Sequence, residues 1–275
     1  MNRRGWWLLS FIWVFLVGMV AVILVGRPSS SRHPESHGFQ PPEMAAVQFS
    51  VRPIHANLGG MSVAIPAHFA NYVEYDGDPG FGEKRQGPPP VRTPKSKIRS
   101  FGFDVRYPGM EGLSSPEMWK DKRSYQGERL AEKPWISVGF NAGEIYPKDG
   151  FLNRQAEGAI GSGKRFPLEN YEKLPDKENG LEVYALKGVD PKTGIPYRMH
   201  NMADDIFIDR DEYGKVLTFI KCSNRQVLAP PCTQYFDLEP FAKSVVYASY
   251  RRGLLPEWRK IQASIKGLVY SFKVE

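Results

Sequence analysis

Residues 6–26, WWLLSFIWVFLVGMVAVILVG, carry no charge and a single hydroxyl, Ser10. As a helix this run rises about 30 Å, the thickness of a bilayer's hydrocarbon core. It has no polar face with which to lie on a water-soluble domain. Signal peptides use a shorter apolar core, of about 7–15 residues, followed by a small-x-small cleavage site. Here Leu24 and Gly26 make a weak site, and no cysteine follows for lipid attachment. The expectation is an uncleaved transmembrane anchor over residues 6–26. Trp6 and Trp7 suit an interface, and Arg3 and Arg4 in the leading residues 1–5 hold that tail in the cytoplasm. The remainder of the chain then lies across the membrane.

Residues 27–45, RPSSSRHPESHGFQPPEMA, lack apolar periodicity and read as a flexible linker. His33 and His37 fall here beside Pro34, where no helix would align them on a metal. Residues 46–275 form the folded part. Strands are expected in VQFSVRPI, in GGMSVAIP up to Pro66, in SFGFDVRYPGM with Phe101, Phe103 and Val105 on one face, and in PWISVGFNAG. GLEVYALKGV, CTQYFDL and SVVYASYRR add three more, and DDIFIDRDEYGKVLTFIKCS reads as a hairpin that sets Ile206 and Ile208 opposite Val216, Leu217 and Phe219. Residues 141–179 show no regular pattern. LLPEWRKIQASIKGLVYSF is the convincing helix, with Trp258, Ile261, Ile265, Leu268, Val269 and Phe272 at three-to-four spacing. The fold class is α+β: a mostly antiparallel sheet with a C-terminal amphipathic helix packed on it, preceded by the N-terminal transmembrane helix.

Several stretches imitate chemistry. GAIGSGKR places Gly158, Gly163 and Lys164 on the fixed positions of a phosphate-binding loop. No buried strand precedes it, Arg165 replaces the magnesium-binding hydroxyl, and Pro167 discourages the helix that should follow. DGDPGFGE and DRDEYG pair aspartates at i,i+2 (Asp76 with Asp78, Asp209 with Asp211), but the twelfth positions of the corresponding calcium loops are Gly87 and Ile220 rather than Glu. His55, His68 and His200 belong to no catalytic signature, and no G-x-S-x-G occurs. No catalytic, cofactor-binding or metal-binding residue is assigned, and no cofactor is expected. The formal charge of +7, two units of it from Arg3 and Arg4, is spread without a cationic run, which argues against nucleic acid. Cys222 and Cys232, the only cysteines, cap two apparent strands and are expected to form a disulfide in an exported domain.

Five phrases in order, LGGMSVAIPAHFANYVEYDGDPGFGEKR, SFGFDVRYPGMEGLSSPEMWKDK, DIFIDRDEYGKVLTFIKCSN, CTQYFDLEP and YRRGLLPEWRKIQASIKGLV, resemble the cell-envelope immunity proteins encoded beside type VI secretion phospholipase (lipase) effectors. The resemblance spans about residues 55–275. It implies a non-enzymatic protein of the bacterial inner membrane, with its domain in the periplasm, that binds a toxic lipase effector. Relatives of this kind are often lipoproteins, whereas this chain would be held by residues 6–26. The stretch NYVEYDGDPGFG offers a partner-binding surface: Tyr72, Tyr75 and Phe81 as aromatic anchors, and Glu74, Asp76 and Asp78 for basic groups. The alternative is an envelope scaffold docking on secretion or cell-wall machinery.

Overall fold

The computed structural model describes residues 52–80, 82–147, 149–161 and 170–275. The anchor segment, the linker, Phe81 and the Gly163, Lys164 and Arg165 positions of the phosphate-loop look-alike lie outside them. Twelve strands and three α-helices follow in order: β1 (Ile54–Leu58), β2 (Met61–Ile65), β3 (Asn71–Tyr75), β4 (Ile98–Arg106), β5 (Glu111–Gly112), α1 (Pro116–Ser124), β6 (Trp135–Asn141), α2 (Phe151–Ile160), β7 (Tyr171–Lys173), β8 (Glu182–Leu186), β9 (Asp204–Arg210), β10 (Val216–Ser223), β11 (Pro231–Asp237), β12 (Val245–Arg251) and α3 (Trp258–Tyr270). The protein is α+β. Ten strands form one antiparallel sheet in the order β3-β4-β6-β12-β11-β10-β9-β8-β7, with β5 beside β4. β1 and β2 make a separate hairpin.

The alternation in the strands decides what each face meets. Phe101, Phe103 and Val105 of β4 are buried on the face that also receives Phe140, Val246 and Phe236. The Phe101 and Phe140 rings stack at 4.3 Å. Onto this face fold α3, through Trp258, Ile261, Ile265 and Val269, and the β1–β2 hairpin, through Ala56, Leu58, Val63 and Ile65. Phe272 is buried just past the end of α3. The chain end is stitched to the hairpin: Ala64 N donates to Phe272 O, and Val274 N to Ser62 O. The hairpin turn is stitched to the segment before β12 by Lys243 N donating to Gly59 O. Gly59 has φ of +56°, and a Cβ there would meet the Lys243 backbone, so both the turn and the close approach require glycine.

Under α3 lies a polar group of fully buried origin. Gln234 of β11 accepts from the Tyr250 hydroxyl at 2.8 Å and donates to Gln262 Oε1 at 2.8 Å, which also accepts from Thr218 Oγ1 at 2.9 Å. These bonds pair the buried polar groups of Gln234, Thr218 and Tyr250 and tie the helix, through Gln262, to β10 and β11.

Three expectations are corrected. Residues 141–179 contain α2 and β7, and α2 covers the second face of the sheet, burying Leu152 and Ala156 against Ile206, Ile208, Val216 and Phe219. The strand β9 is therefore enclosed on both sides, with Phe207 facing the α3 core and Ile206 and Ile208 facing α2. In the hairpin, Ile208 does oppose Phe219, but Ile206 opposes Lys221, and an irregularity between Val216 and Thr218 turns Leu217 toward solvent. The described first strand begins at Ile54; the earlier residues of VQFSVRPI, through Val51, lie outside the description. Pro256 falls in a short 3-10 turn that leads into α3 rather than in α3 itself.

Replacing Ile265 with Ala is expected to cost about 2–5 kcal/mol, because its fully buried side chain meets both the sheet and the hairpin. The midpoint of urea unfolding measures it, and an unchanged midpoint would show that α3 contributes no packing.

Candidate functional site

The ends of β8, β10 and β12 and the starts of β9 and β11 converge at one end of the sheet. Two loops emerge there, residues 187–203 and 224–230. Cys222 and Cys232, opposite each other on β10 and β11, are joined by the expected disulfide, which closes the shorter loop at its root.

Asp205, the second residue of β9, sits beneath these loops with 1% of its surface exposed. Beside it on the strand stand a second acid, Asp204, and the buried Ile206, so its charge survives only through its donors. Arg198 of the longer loop grips both carboxylate oxygens, Nε to Oδ1 at 2.9 Å and Nη2 to Oδ2 at 2.8 Å. Arg252, just after β12, adds Nη2 to Oδ2 at 2.6 Å. Asn224, at the start of the shorter loop, donates its Nδ2 to Oδ1 at 3.0 Å and to Arg198 O at 3.0 Å, and accepts from Arg252 through its own side-chain oxygen. The Arg252 guanidinium also lies over the Phe207 ring. Burial alone would raise the Asp205 pKa; the hydrogen bonds from Arg198, Asn224 and Arg252 outweigh it and hold the carboxyl below its ordinary range.

Above this network opens a cleft of about 680 Å³, floored by Asp205, Arg198 and Arg252 and walled by residues 223–228. Its rim is apolar and exposed: Met199 (58%), Val227 (56%) and Leu228 (59%), with Met202 (66%) exposed on the same longer loop. Val189 and Ile195, farther along the longer loop, are exposed as well. Large apolar side chains gathered at one end of a domain, beside arginines, have the composition of a protein interface. Sequence reasoning passed over these loops. The signal was present in SNRQVLAPP and GIPYRMHNM, apolar residues inside turn-rich segments, but it became meaningful only with exposure known.

The residues chosen from NYVEYDGDPGFG are placed differently from one another. Tyr72 is 82% exposed, at a left-handed φ of +52°, on edge strand β3. Glu74 is exposed and bonded to Arg99 and Ser100 at 3.1 and 2.8 Å. Tyr75 is a core residue, 8% exposed, with Arg92 against its ring. Asp76 accepts from Glu144 N at 2.9 Å. Asp78 ties the following loop, accepting from Tyr75 N and from both Arg85 and Arg92. Tyr72 and Glu74 face solvent, while Tyr75 and Asp78 are engaged within the fold. Phe81 is outside the described residues.

Other sequence features resolve simply. His68 packs on Phe69 at 4.3 Å, and burial lowers its pKa. His200 Nδ1 accepts from Met202 N. Asp211 Oδ1 accepts from Tyr213 N and Lys215 N, which makes DRDEYG a hairpin turn. The residues before the GSGK stretch are helical, and Gly158 belongs to α2, where a phosphate loop would have a strand. Among the described residues no cluster of three or more His, Cys, Asp or Glu is arranged to hold a metal.

No protein-family model and no curated protein matches this sequence. A solved structure does share its fold. That structure is Smlt3025, described as an immunity protein of the Stenotrophomonas maltophilia type IV secretion system. The two chains are 16% identical, with a TM-score of 0.51 over 82% of this chain and 94% of the other. At that identity the likeness establishes a common fold.

Two outcomes follow from this geometry. Replacing both Cys222 and Cys232 with Ala is expected to remove about 2–3 kcal/mol, read from urea unfolding of the oxidised protein; equal midpoints would deny the bridge a stabilising role. Asp205 contributes its stability in full above the unfolded carboxyl pKa of about 4, and loses it as pH falls through its lower folded value. Asp205→Asn leaves two arginines facing each other and is expected to cost about 3 kcal/mol at neutral pH. Its unfolding midpoint should also fall less steeply than the wild-type midpoint below about pH 4. Parallel acid limbs would contradict this.

Proposed function

We propose that this chain is an immunity protein, which binds a toxic secreted effector and neutralises it stoichiometrically rather than by catalysis. The observation that carries this reading is the fold shared with an immunity protein over most of both chains. Two further observations support it. A buried polar network holds two loops of one sheet end in fixed position, and those loops present exposed apolar side chains to the outside. His68 and His200 stand in a packing role and a turn role.

The phrase-level resemblance makes the effector a phospholipase (lipase) of type VI secretion, whereas the fold neighbour is assigned to a type IV system. An immunity protein meets the toxin, not the machine that delivers it, so the two likenesses agree on the kind of activity. We assign the lipase as the target. We further assign the chain to the bacterial inner membrane, held by residues 6–26 with its domain in the periplasm, where a lipase would attack.

Coexpression tests the reading. The lipase encoded beside this gene, fitted with an export signal, is expected to kill host cells alone and to spare those that carry the full chain. Equal killing in both would overturn the proposal. Protection that persists when the chain lacks residues 1–26 and stays in the cytoplasm would overturn the periplasmic assignment.

A further inference from the structure

The immunity reading leaves open where the toxin sits and what it presents. The charges at the Asp205 end are unevenly matched. Arg198 and Arg252 share one carboxylate, that of Asp205, with Glu178 also near enough to act on Arg198. Arg225 lies on the same cleft wall and differs. Its Nε donates to Asn201 O at 3.4 Å, and among the described residues it forms no ion pair. With its Nε engaged, this exposed guanidinium keeps its two terminal nitrogens available as a fork, a shape that matches a carboxylate.

The surroundings of that fork narrow the occupant. Met199, Val227 and Leu228 line the same cleft and stand exposed. Three large apolar side chains about one unpaired cation do not suit nucleic acid, whose affinity comes from many phosphate contacts. They suit the centre of a protein interface, where an apolar contact excludes water around a single charged pair. Met199 adds a side chain that can repack around a bulky partner group. The disulfide and the Asp205 network hold the cleft walls in place before binding, which lowers the ordering cost of association.

Resting on the immunity reading, we propose that this cleft is the toxin-docking site, and that it receives a toxin loop carrying an Asp or Glu beside a large apolar or aromatic side chain. The carboxylate takes the Arg225 fork, and the apolar side chain lies against Met199, Val227 and Leu228.

The test titrates the full-length protein with the purified product of the flanking effector gene, by calorimetry. Arg225→Glu and Leu228→Asp change exposed side chains outside the Asp205 network, and an unchanged melting temperature checks that each variant is folded. Arg225→Glu is expected to weaken binding about tenfold or more, and Leu228→Asp about a hundredfold. Tyr213→Ala, exposed at the β9–β10 turn and so at the opposite end of those strands, should leave it within about twofold. If the wild type binds and both cleft variants bind within twofold of it, the docking site is elsewhere and this proposal falls while the immunity reading stands. If the wild type does not bind, the immunity reading falls and takes the proposal with it. If phosphatidylglycerol vesicles capture the wild type through Arg225 while toxin binding ignores the substitution, the cleft belongs to a lipid and the proposal is equally overturned. Restored binding of Arg225→Glu by a toxin whose matching acidic residue is changed to Arg would fix the pair.

Discussion

A carboxylate almost sealed from water, one residue into a strand, is stable only if its donors are brought to it. Asp205 recruits them from three places in the chain: Arg198 ahead of β9, Asn224 after β10 and Arg252 after β12. Satisfying one anion thus pins two long loops and a strand end relative to each other. Removing the acid would leave two cations in contact, and removing either arginine would leave the acid underpaired. The conformation of the loops above is a consequence of that electrostatic requirement. The disulfide one strand over acts on the same region by a different route, holding the root of the shorter loop even when its tip moves.

The second organising constraint is that the middle of the sheet is covered on both faces. β9 and β10 pack toward α3 on one side and α2 on the other. Residues 187–203 lead into β9 and residues 224–230 follow β10, so both loops spring from strands covered on both faces. The two outer regions of the sheet, around β3 and β7, carry more exposed and irregular structure.

Most strands were legible in the sequence because their period-two alternation is strong. Phe101, Phe103 and Val105 all point to the core, and α3 buries the stripe that its three-to-four spacing defined. α2 was not legible. It follows Gly150 without a side-chain cap, and its buried face amounts to little more than Leu152 and Ala156. α1 carries a readable Ser115-Pro116 start, with Ser115 Oγ accepting from Met118 N, but buries none of its residues, so no periodic signal marks it. The cleft at the Asp205 end escaped for another reason. Aromatic and acidic residues in NYVEYDGDPGFG look available in a string of letters, yet Tyr75 and Asp78 are consumed by the core and by two arginines. The residues left unspent, Arg225, Val227 and Leu228, are ordinary letters in a loop; their availability is a property of the fold.

The ends of the ten-stranded sheet carry one more consequence. β7 contributes three residues, and the ladder of β3 against β4 is broken between Asn71 and Glu74, where Tyr72 turns into a left-handed conformation. Among the described residues, neither border offers a long, flat run of unpaired peptide groups on which another copy could add a strand. A sheet this wide would otherwise be a template for stacking neighbours edge to edge, and its blunt borders work against that pairing.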